Sequence, residues 1–253
     1  MTTRAVGIIP ARYHSSRLPG KPLEKIGEMP MIQHVYQQAA KAKSLSEVIV
    51  ATDHPKIEAA VKSFGGNVVM TADTHENGTS RCFEVFSQLS QNFDVLVNIQ
   101  GDEPFLEPQL IDQLVEVFKK EEVEIATPIH PLEDYKDLMN PSKVKVCISE
   151  SGRALYFSRN AIPYVREEKN PKQWPSKFPY FKHIGIYAFS GKIIPQIEKL
   201  PASPLEEAEK LEQLRWLAND LYIQTVLTTE QGFAVDTFDD LYRAKRLWTE
   251  MNS

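Results

Sequence analysis

The chain is poor in cysteine and has neither a long hydrophobic run nor a run of consecutive basic residues. Its two cysteines, Cys82 and Cys147, are too few for a disulfide framework and lack any metal-ligand spacing. No apolar run approaches the ~20 residues that span a membrane, and the charged N-terminus is unlike a signal peptide. With 34 acidic and 29 basic residues, the chain is a poor partner for nucleic acid. These absences predict a cytoplasmic protein with reduced cysteines and no membrane or nucleic-acid partner.

The composition that remains, 42% hydrophobic and 25% charged, is typical of a folded globular chain. In the first half, apolar runs alternate with helical patterns. The runs predict strands at residues 5–10, 47–51, 67–70, 94–99 and 124–128, and the helical patterns lie at 30–43, 55–64, 79–91 and 108–121. Continuously apolar strands separated by helices are typical of an α/β fold, with a mainly parallel nucleotide-binding sheet and helices on both faces.

The pattern changes after about residue 140. Two alternating segments around Ser151-Gly152, at 143–149 and 154–158, predict a hairpin. A loop is expected over 162–179, a strand over 183–189, and helices over 205–217 and 237–251. Because no linker-like segment separates the halves, we expect one domain over 1–253. About 1–130 would bind the nucleotide, and about 140–225 would be an elaboration that holds a second substrate.

A loop rich in cations follows the first predicted strand. Residues 10–23, PARYHSSRLPGKPL, carry Arg12, Arg17 and Lys21, with Gly20 giving the backbone freedom before the lysine. Three cations on one short loop suit a polyphosphate. The loop is neither a P-loop, since Pro22 follows the lysine, nor a GxGxxG motif. A solvated surface loop with incidental basic residues is the alternative.

A second polar segment, VNIQGDEP at 97–104, ends a strongly apolar strand. In a parallel sheet, ligands bind outside the carboxyl ends of the strands. There Asp102 would hold magnesium, which takes one or two protein carboxylates together with phosphate oxygens and water. A plain turn is equally typical of Gly-Asp and Glu-Pro. Asp236, between an apolar stretch and a helix, is a candidate second carboxylate, and its alternative role is a helix N-cap.

Several motifs along the whole chain carry a family resemblance. In order they are GIIPARYHSSRLPGKPL, VATD, NGTSR, VNIQGDEP, ALYFSRNAIP, KHIGIYAF, EKLEQLR and VDT. Together they resemble the 3-deoxy-manno-octulosonate (Kdo) cytidylyltransferases, the CMP-Kdo synthetases of lipopolysaccharide biosynthesis. The first motif alone would indicate only a sugar nucleotidyltransferase, whereas LYFSR, HIGIY and LEQLR are more specific.

The resemblance implies a GT-A-like nucleotidyltransferase fold, generally a homodimer, in which the second half binds the sugar and forms the dimer. The implied partners are CTP and Kdo, the products are CMP-Kdo and pyrophosphate, and the implied cofactor is Mg²⁺. The anomeric hydroxyl of Kdo would attack the α-phosphorus of CTP in line with the departing pyrophosphate. Catalysis would then be chiefly positioning and electrostatic stabilisation.

The resemblance also assigns roles to individual residues. Those matching the nucleotide contacts are Pro10, Ala11, Arg12, Arg17, Lys21, Gly78, Thr79 and Arg81. Those matching the sugar pocket are Gln100, Arg159, His183, Tyr187, Glu212 and Gln213. Asp102 and Asp236 match the metal ligands, and Arg17, Lys21 and Asp102 are the catalytic candidates. Taken singly, each of these residues has a plain alternative role. His183 and Tyr187 lie on one face of a predicted strand and could equally be core residues. Arg159 could be a surface arginine.

One position departs from the family pattern. Ser80 stands where many members carry glutamate, and relatives that use 8-amino-Kdo also vary around this loop. The retained Glu103 favours ordinary Kdo, and Ser80 leaves that preference open. The rival functions are a sialate cytidylyltransferase, against which LYFSR, HIGIY and LEQLR argue, and a non-catalytic nucleotide-binding module. Lys21, Asp102 and Asp236 together argue against the second rival, which has little need of two metal carboxylates.

Overall fold

A computed structural model describes residues 3–14, 17–120 and 122–252. The strands are β1 (Ala5–Ala11), β2 (Lys25–Ile26), β3 (Met29–Pro30), β4 (Leu45–Thr52), β5 (Asn67–Met70), β6 (Val95–Asn98), β7 (Ile125–Leu132), β8 (Lys145–Ile148), β9 (Ala154–Ser158), β10 (Tyr180–His183), β11 (Tyr187–Ser190) and β12 (Ile223–Leu227). The helices are α1 (Met31–Ala39), α2 (Pro55–Ser63), α3 (Gly78–Gln88), α4 (Pro108–Glu116), α5 (Tyr135–Met139), α6 (Trp174–Lys177), α7 (Ile194–Ile197), α8 (Pro204–Glu209), α9 (Gln213–Ala218) and α10 (Phe238–Met251). Among the helices of the described residues, none has the length and apolar character needed to cross a bilayer.

The described residues form two compact units. The first contains the chain up to Glu116 together with the segment from Gly232 onward, and the second contains Val117–Gln231. The expectation of one continuous domain over 1–253 stays a prediction.

The first unit is built on a parallel sheet. Its strands lie in the order β5–β4–β1–β6, and all neighbours run parallel. Every residue of β1 except Pro10 is buried, which is why this strand reads as a continuous apolar run. The predicted α/β fold with parallel strands is therefore confirmed, and the carboxyl ends of these strands lie at one edge of the sheet.

A small apolar cluster ties the C-terminal helix to the first loop. Leu241 and Ala244 of α10 pack with Leu18, Ile26, Met31 and Val235. Thr237 caps this helix, because its hydroxyl accepts from the backbone N–H of Asp240 at 3.2 Å. Asp236 is therefore not the N-cap that its position allowed. The cluster fixes Leu18 and Val235. Leu18 follows Arg17 in the chain, and Val235 precedes Asp236.

The second unit has a mainly antiparallel arrangement around β7. This strand pairs antiparallel with β10 and β11 and parallel with β12. β8 pairs antiparallel with β9, as the hairpin prediction required, and also with β10. The predicted C-terminal elaboration of strands and helices is thus present, with a different strand direction from the first unit.

Two elements predicted as continuous are interrupted. The expected strand 183–189 is two strands, β10 and β11, because the N–H of Ile186 turns back to the carbonyl of Ile184 at 2.9 Å around Gly185. The expected helix 205–217 is α8 and α9, separated by Lys210 in the left-handed conformation with φ 52°. The prediction that His183 and Tyr187 lie on one face of a single strand was therefore wrong.

Other differences concern ends and short elements. The expected loop 162–179 contains α6, whose Trp174 packs with Leu132, Leu138 and Tyr180. The helix expected over 79–91 ends at Gln88, and the one over 108–121 ends at Glu116 before a 3₁₀ turn. Glu121 lies outside the described residues. The sequence patterns missed β12, and they missed β2, β3, α5 and α7, which are too short to show a period.

One buried cation gives the second unit a pH-dependent stability. Lys145 is fully buried, and loss of hydration lowers its pKa from 10.5 to about 8. The unfolded chain therefore binds more protons than the folded chain between these values, so the unfolding free energy rises with pH across this window. Relative to Lys145→Met, we expect wild-type stability to increase by about 3 kcal/mol from pH 8 to 10.5. Denaturant melts at both ends of the window test this, and a pH-independent difference between the two proteins would contradict it.

Candidate active site

The cation-bearing loop is held by a left-handed glycine and a buried leucine. Gly20 has φ +69°, and its N–H donates to the carbonyl of Tyr13 at 3.0 Å. The N–H of Lys21 then donates to the carbonyl of Leu18 at 3.1 Å, and a 3₁₀ turn follows over Lys21–Leu23. Because Leu18 is fully buried, the start of the lysine side chain is fixed relative to the sheet. Ser15 and Ser16 of this loop lie outside the described residues.

Both predicted metal carboxylates converge on Lys21. Its Nζ lies 2.6 Å from Asp102 Oδ2 and 3.2 Å from Asp236 Oδ1. Arg17 Nη2 lies 3.1 Å from the same oxygen of Asp236. The N–H of Val235 donates to the carbonyl of Asp102 at 2.9 Å, so the two acidic segments are also joined through their backbones. Residues that are far apart in sequence thus form one charged cluster at the carboxyl edge of the parallel sheet.

A cavity of about 360 Å³ opens beside this cluster. Among its lining residues are ten that the sequence singled out: Pro10, Ala11, Arg12, Arg17, Lys21, Gly78, Arg81, Gln100, Asp102 and Asp236. Five more were not predicted: Pro22, His75, Glu76, Asn77 and Gly101. The volume falls within the range of small-molecule sites, and the lining carries both signs of charge.

Two predicted nucleotide contacts are engaged with the protein itself. Thr79 does not line the cavity; it is buried, and its Oγ1 accepts from Asn98 Nδ2 at 3.2 Å. Arg81 lines the cavity, but its guanidinium donates to Asp53 Oδ2 at 2.7 Å and to the carbonyl of Ala72 at 3.3 Å. Arg81 therefore joins the lining of the cavity to the segments that carry Asp53 and Ala72.

The N-terminus of α3 also faces this cavity. Asn77 caps the helix, because its Oδ1 accepts from the N–H of Ser80 at 2.8 Å. His75 links this end to the next turn, with Nδ1 3.0 Å from the Ser80 hydroxyl and Nε2 bonded to Glu84. The hydrogen bond from His75 lowers the pKa of Glu84. An Asn-Gly pair before a helical pattern is an N-cap signal, and it could have identified Asn77 from the sequence.

Close backbone approach at the cavity floor requires glycine at position 101. A Cβ there would lie 2.8 Å from the carbonyl oxygen of Pro10, so the loop carrying Asp102 would have to move. We expect Gly101→Ala to lower kcat about tenfold, since a shift on the order of 1 Å in a catalytic group costs up to 100-fold. Steady-state kinetics with a thermal melt check this. An unchanged kcat would show that the loop adapts without displacing the carboxylate.

In the second unit, His183 is held in one protonation state. The Thr127 hydroxyl donates to the carbonyl of Ile186 at 2.8 Å, and His183 Nε2 forms a hydrogen bond with Thr127 Oγ1 at 3.0 Å. Loss of hydration lowers the pKa of His183 from 6.5 to about 3. The ring is therefore neutral at physiological pH, so one of its two nitrogens is an unprotonated hydrogen-bond acceptor.

Tyr187 connects His183 to helix α9. Its ring centroid lies 5.1 Å from that of His183 and 4.9 Å from that of Trp216. Burial, and then the charge of Glu212, raise the pKa of Tyr187 well above 10. Gln213 begins α9 and is buried. Four of the predicted sugar residues thus lie on β10, on β11 and at the start of α9, while Gln100 belongs to the first unit.

Arg159 is half-buried, and its side chain is bonded to the protein. Its guanidinium donates to the carbonyls of Glu209 at 2.7 Å, Pro141 at 3.1 Å and Lys210 at 3.3 Å. These bonds fix the side chain within the second unit.

Known proteins resemble the chain over nearly its whole length. A family model described as cytidylyltransferase matches residues 6–227. A 3-deoxy-manno-octulosonate cytidylyltransferase of Cytophaga hutchinsonii is 48% identical over 238 residues, which make up 94% of this chain and 95% of that protein. A protein of the same name from Parabacteroides distasonis is 45% identical over 94% of this chain and 96% of its own length. The chain belongs to the 3-deoxy-manno-octulosonate cytidylyltransferase family.

A solved structure agrees with this membership in the Kdo cytidylyltransferase family. The structure of CMP:2-keto-3-deoxy-manno-octonic acid synthetase complexed with CTP is 40% identical and has a TM-score of 0.91, covering 98% of this chain and 100% of that one. The resemblance seen in the motifs is therefore confirmed. The family model ends before Asp236, so the place of Asp236 in the site rests on its contacts with Lys21 and Arg17.

Proposed function

We propose that this chain is a cytidylyltransferase that activates Kdo with CTP, giving CMP-Kdo and pyrophosphate for lipopolysaccharide biosynthesis. The observation that carries the proposal is the convergence of Lys21, Asp102 and Asp236 at the cavity. Membership of the family supports the choice of substrates, because relatives named for this activity are 48% and 45% identical. A nucleotide-binding module without catalysis has no need of two carboxylates that form ion pairs with one lysine.

The first unit would bind the triphosphate. Arg12, Arg17 and Lys21 place three cations around the cavity, and the backbone N–H groups at the start of α3 favour an anion. Negative charge develops on the departing pyrophosphate as the Kdo hydroxyl attacks the α-phosphorus. Cations already held in place stabilise that charge without reorganisation during the reaction.

Magnesium fits the acidic part of this site. Asp102 and Asp236 direct carboxylate oxygens at one positive group, the Lys21 ammonium, and carboxylate oxygens are preferred Mg²⁺ ligands. Within residues 3–14, 17–120 and 122–252, no group of three or more histidine, cysteine or acidic side chains could hold a metal. Phosphate oxygens and water would therefore complete the shell. When bound there, Mg²⁺ neutralises phosphate charge and favours ionisation of the attacking hydroxyl.

The second unit would bind the sugar. Neutral His183 has one unprotonated ring nitrogen, which can accept a hydrogen bond from a sugar hydroxyl, and Glu212 and Gln213 supply further polar groups at the start of α9. Arg159 carries the positive charge for the Kdo carboxylate. These roles come from the family resemblance, and the neutral state of His183 supports its part.

We also propose a homodimer in the cytoplasm. The family resemblance supports the dimer, and the low cysteine content supports a reducing compartment. Light scattering coupled to gel filtration should give twice the chain mass of 28.8 kDa. A mass of one chain would contradict the dimer, and cell fractionation tests the compartment.

A panel of acidic sugars tests the proposed reaction. Pyrophosphate release from CTP should depend on added Kdo and should be slower with sialate or 8-amino-Kdo. The retained Glu103 favours ordinary Kdo over the amino sugar. Faster release with 8-amino-Kdo would show that the Ser80 departure marks a change of substrate, and equal release with every sugar would contradict a Kdo-specific enzyme.

A further inference from the structure

Arg159 is held through both of its peptide groups as well as its side chain. Its N–H donates to Glu209 Oε2 at 3.0 Å, and its carbonyl accepts from Lys145 Nζ. The guanidinium also donates to the main-chain carbonyl of Glu209. A surface arginine does not need hydrogen bonds from its backbone to the charged side chains of Glu209 and Lys145.

The two charged residues bonded to the backbone of Arg159 are Lys145, which is buried, and Glu209, which is half-buried. Lys145 is fully buried and donates to the carbonyl of Asn140 at 2.9 Å. Glu209 Oε1 accepts from the Ser158 hydroxyl at 2.6 Å. Charged side chains are rarely buried unless paired, because burial removes hydration that hydrogen bonds only partly offset. Stability alone therefore does not account for the network.

The same network contacts the break between α8 and α9. Lys210 has φ 52°, a left-handed conformation that is strained for a residue with a Cβ. Arg159 binds the carbonyls of Glu209 and Lys210 on either side of that strained position. The chain then turns into Glu212 and α9, whose Trp216 packs on Tyr187. The network is thus bonded to the segment that leads into α9.

We propose that Glu209 and Lys145 are positioning residues of the sugar site, holding Arg159 and the α8–α9 break so that Glu212 and Gln213 are presented to Kdo. Neither residue need touch the sugar. The inference rests on the proposed function, since it takes Kdo as the substrate of the second unit.

Glu209→Gln keeps the shape of the side chain and removes its charge. We expect the KM for Kdo to rise about tenfold with the KM for CTP unchanged, since a misplacement of about 1 Å costs up to 100-fold. Lys145→Met, which keeps an unbranched chain and removes the donor, should show the same split. The matched control is Glu207→Gln, an exposed glutamate on the same helix, which should leave both constants unchanged.

A purely structural network would lower the melting temperature of Glu209→Gln and leave its KM for Kdo at the wild-type value, which would overturn the proposal. If Glu209→Gln does not fold, Ser158→Ala decides, because it removes one partner of Glu209 with little change of volume. A raised KM for Kdo in that variant supports the proposal, and an unchanged KM overturns it. Wild-type protein without Kdo-dependent turnover would instead contradict the proposed function itself.

Discussion

Asp102→Asn and Asp236→Asn should each reduce turnover at least 100-fold while the protein stays folded. A neutral amide is a poor magnesium ligand, and each substitution also removes an ion pair with Lys21 at 2.6 or 3.2 Å. Both carboxylates are partly exposed, so their ion pairs contribute little to stability. Pyrophosphate release at saturating CTP and Kdo measures the effect, and a thermal melt confirms the fold.

Asp239→Asn is the matched control for these variants. Asp239 is exposed on the first turn of α10, three residues from Asp236, and should tolerate the change. EDTA should stop the wild-type reaction and added magnesium should restore it. If either site variant keeps more than about a tenth of the wild-type rate, its carboxylate supplies under ~1.4 kcal/mol of barrier lowering. That carboxylate would then not be a principal metal ligand.

Lys21→Ala should lower kcat/KM for CTP about 100-fold, the usual effect of removing one preorganised charge donor from an active site. Its ammonium lies between Asp102 and Asp236, and only 15% of its side chain is exposed. Without it, the leaving pyrophosphate loses a cation, and two carboxylates face each other with one fewer counter-charge. Steady-state kinetics with CTP varied at saturating Kdo give the comparison.

Lys25→Ala provides the control for charge alone. Lys25 is exposed in β2, four residues beyond Lys21, and should leave kcat/KM for CTP within about twofold, since isolated exposed charges interact weakly. Equal losses in the two variants would attribute the effect to net charge. An unchanged constant in Lys21→Ala would remove the loop from the mechanism.

The buried parallel strands were predictable because their signal is local. Residues 5–10 and 94–99 read as strands from composition alone, and β1 and β6 occupy these positions. The hairpin of β8 and β9 followed from alternation around a Ser-Gly turn. In each case the residues that decide the structure lie within one segment.

The interruptions were not predicted by periodicity, and long-range contacts accompany both of them. Nothing local marks Lys210 as left-handed, and its conformation is held by Arg159 from another part of the chain. The break between β10 and β11 likewise involves Ile184, whose N–H donates to the carbonyl of Pro128 on β7. Short-range periodicity therefore predicted one helix over 205–217, where the fold has α8 and α9. It likewise predicted one strand over 183–189, where the fold has β10 and β11.

The charged cluster was partly predictable. Cations after the first strand and a carboxylate after a buried strand marked Lys21 and Asp102, since parallel strands share a carboxyl edge. Asp236 was recognised as a candidate carboxylate with helix capping as its alternative role, and only the structure assigns the cap to Thr237. His75 was missed because its role depends on Ser80 and Glu84, which meet it only once α3 has formed.

The most direct test of the account is the product of the reaction with CTP and Kdo. Phosphorus NMR and mass spectrometry of one incubation should find CMP-Kdo and pyrophosphate in equal amounts, with neither formed when Kdo is left out. That result would place the attack of the sugar hydroxyl at the α-phosphorus. CDP, or CMP formed without Kdo, would contradict the account, because the first requires attack at another phosphorus and the second requires water as the nucleophile.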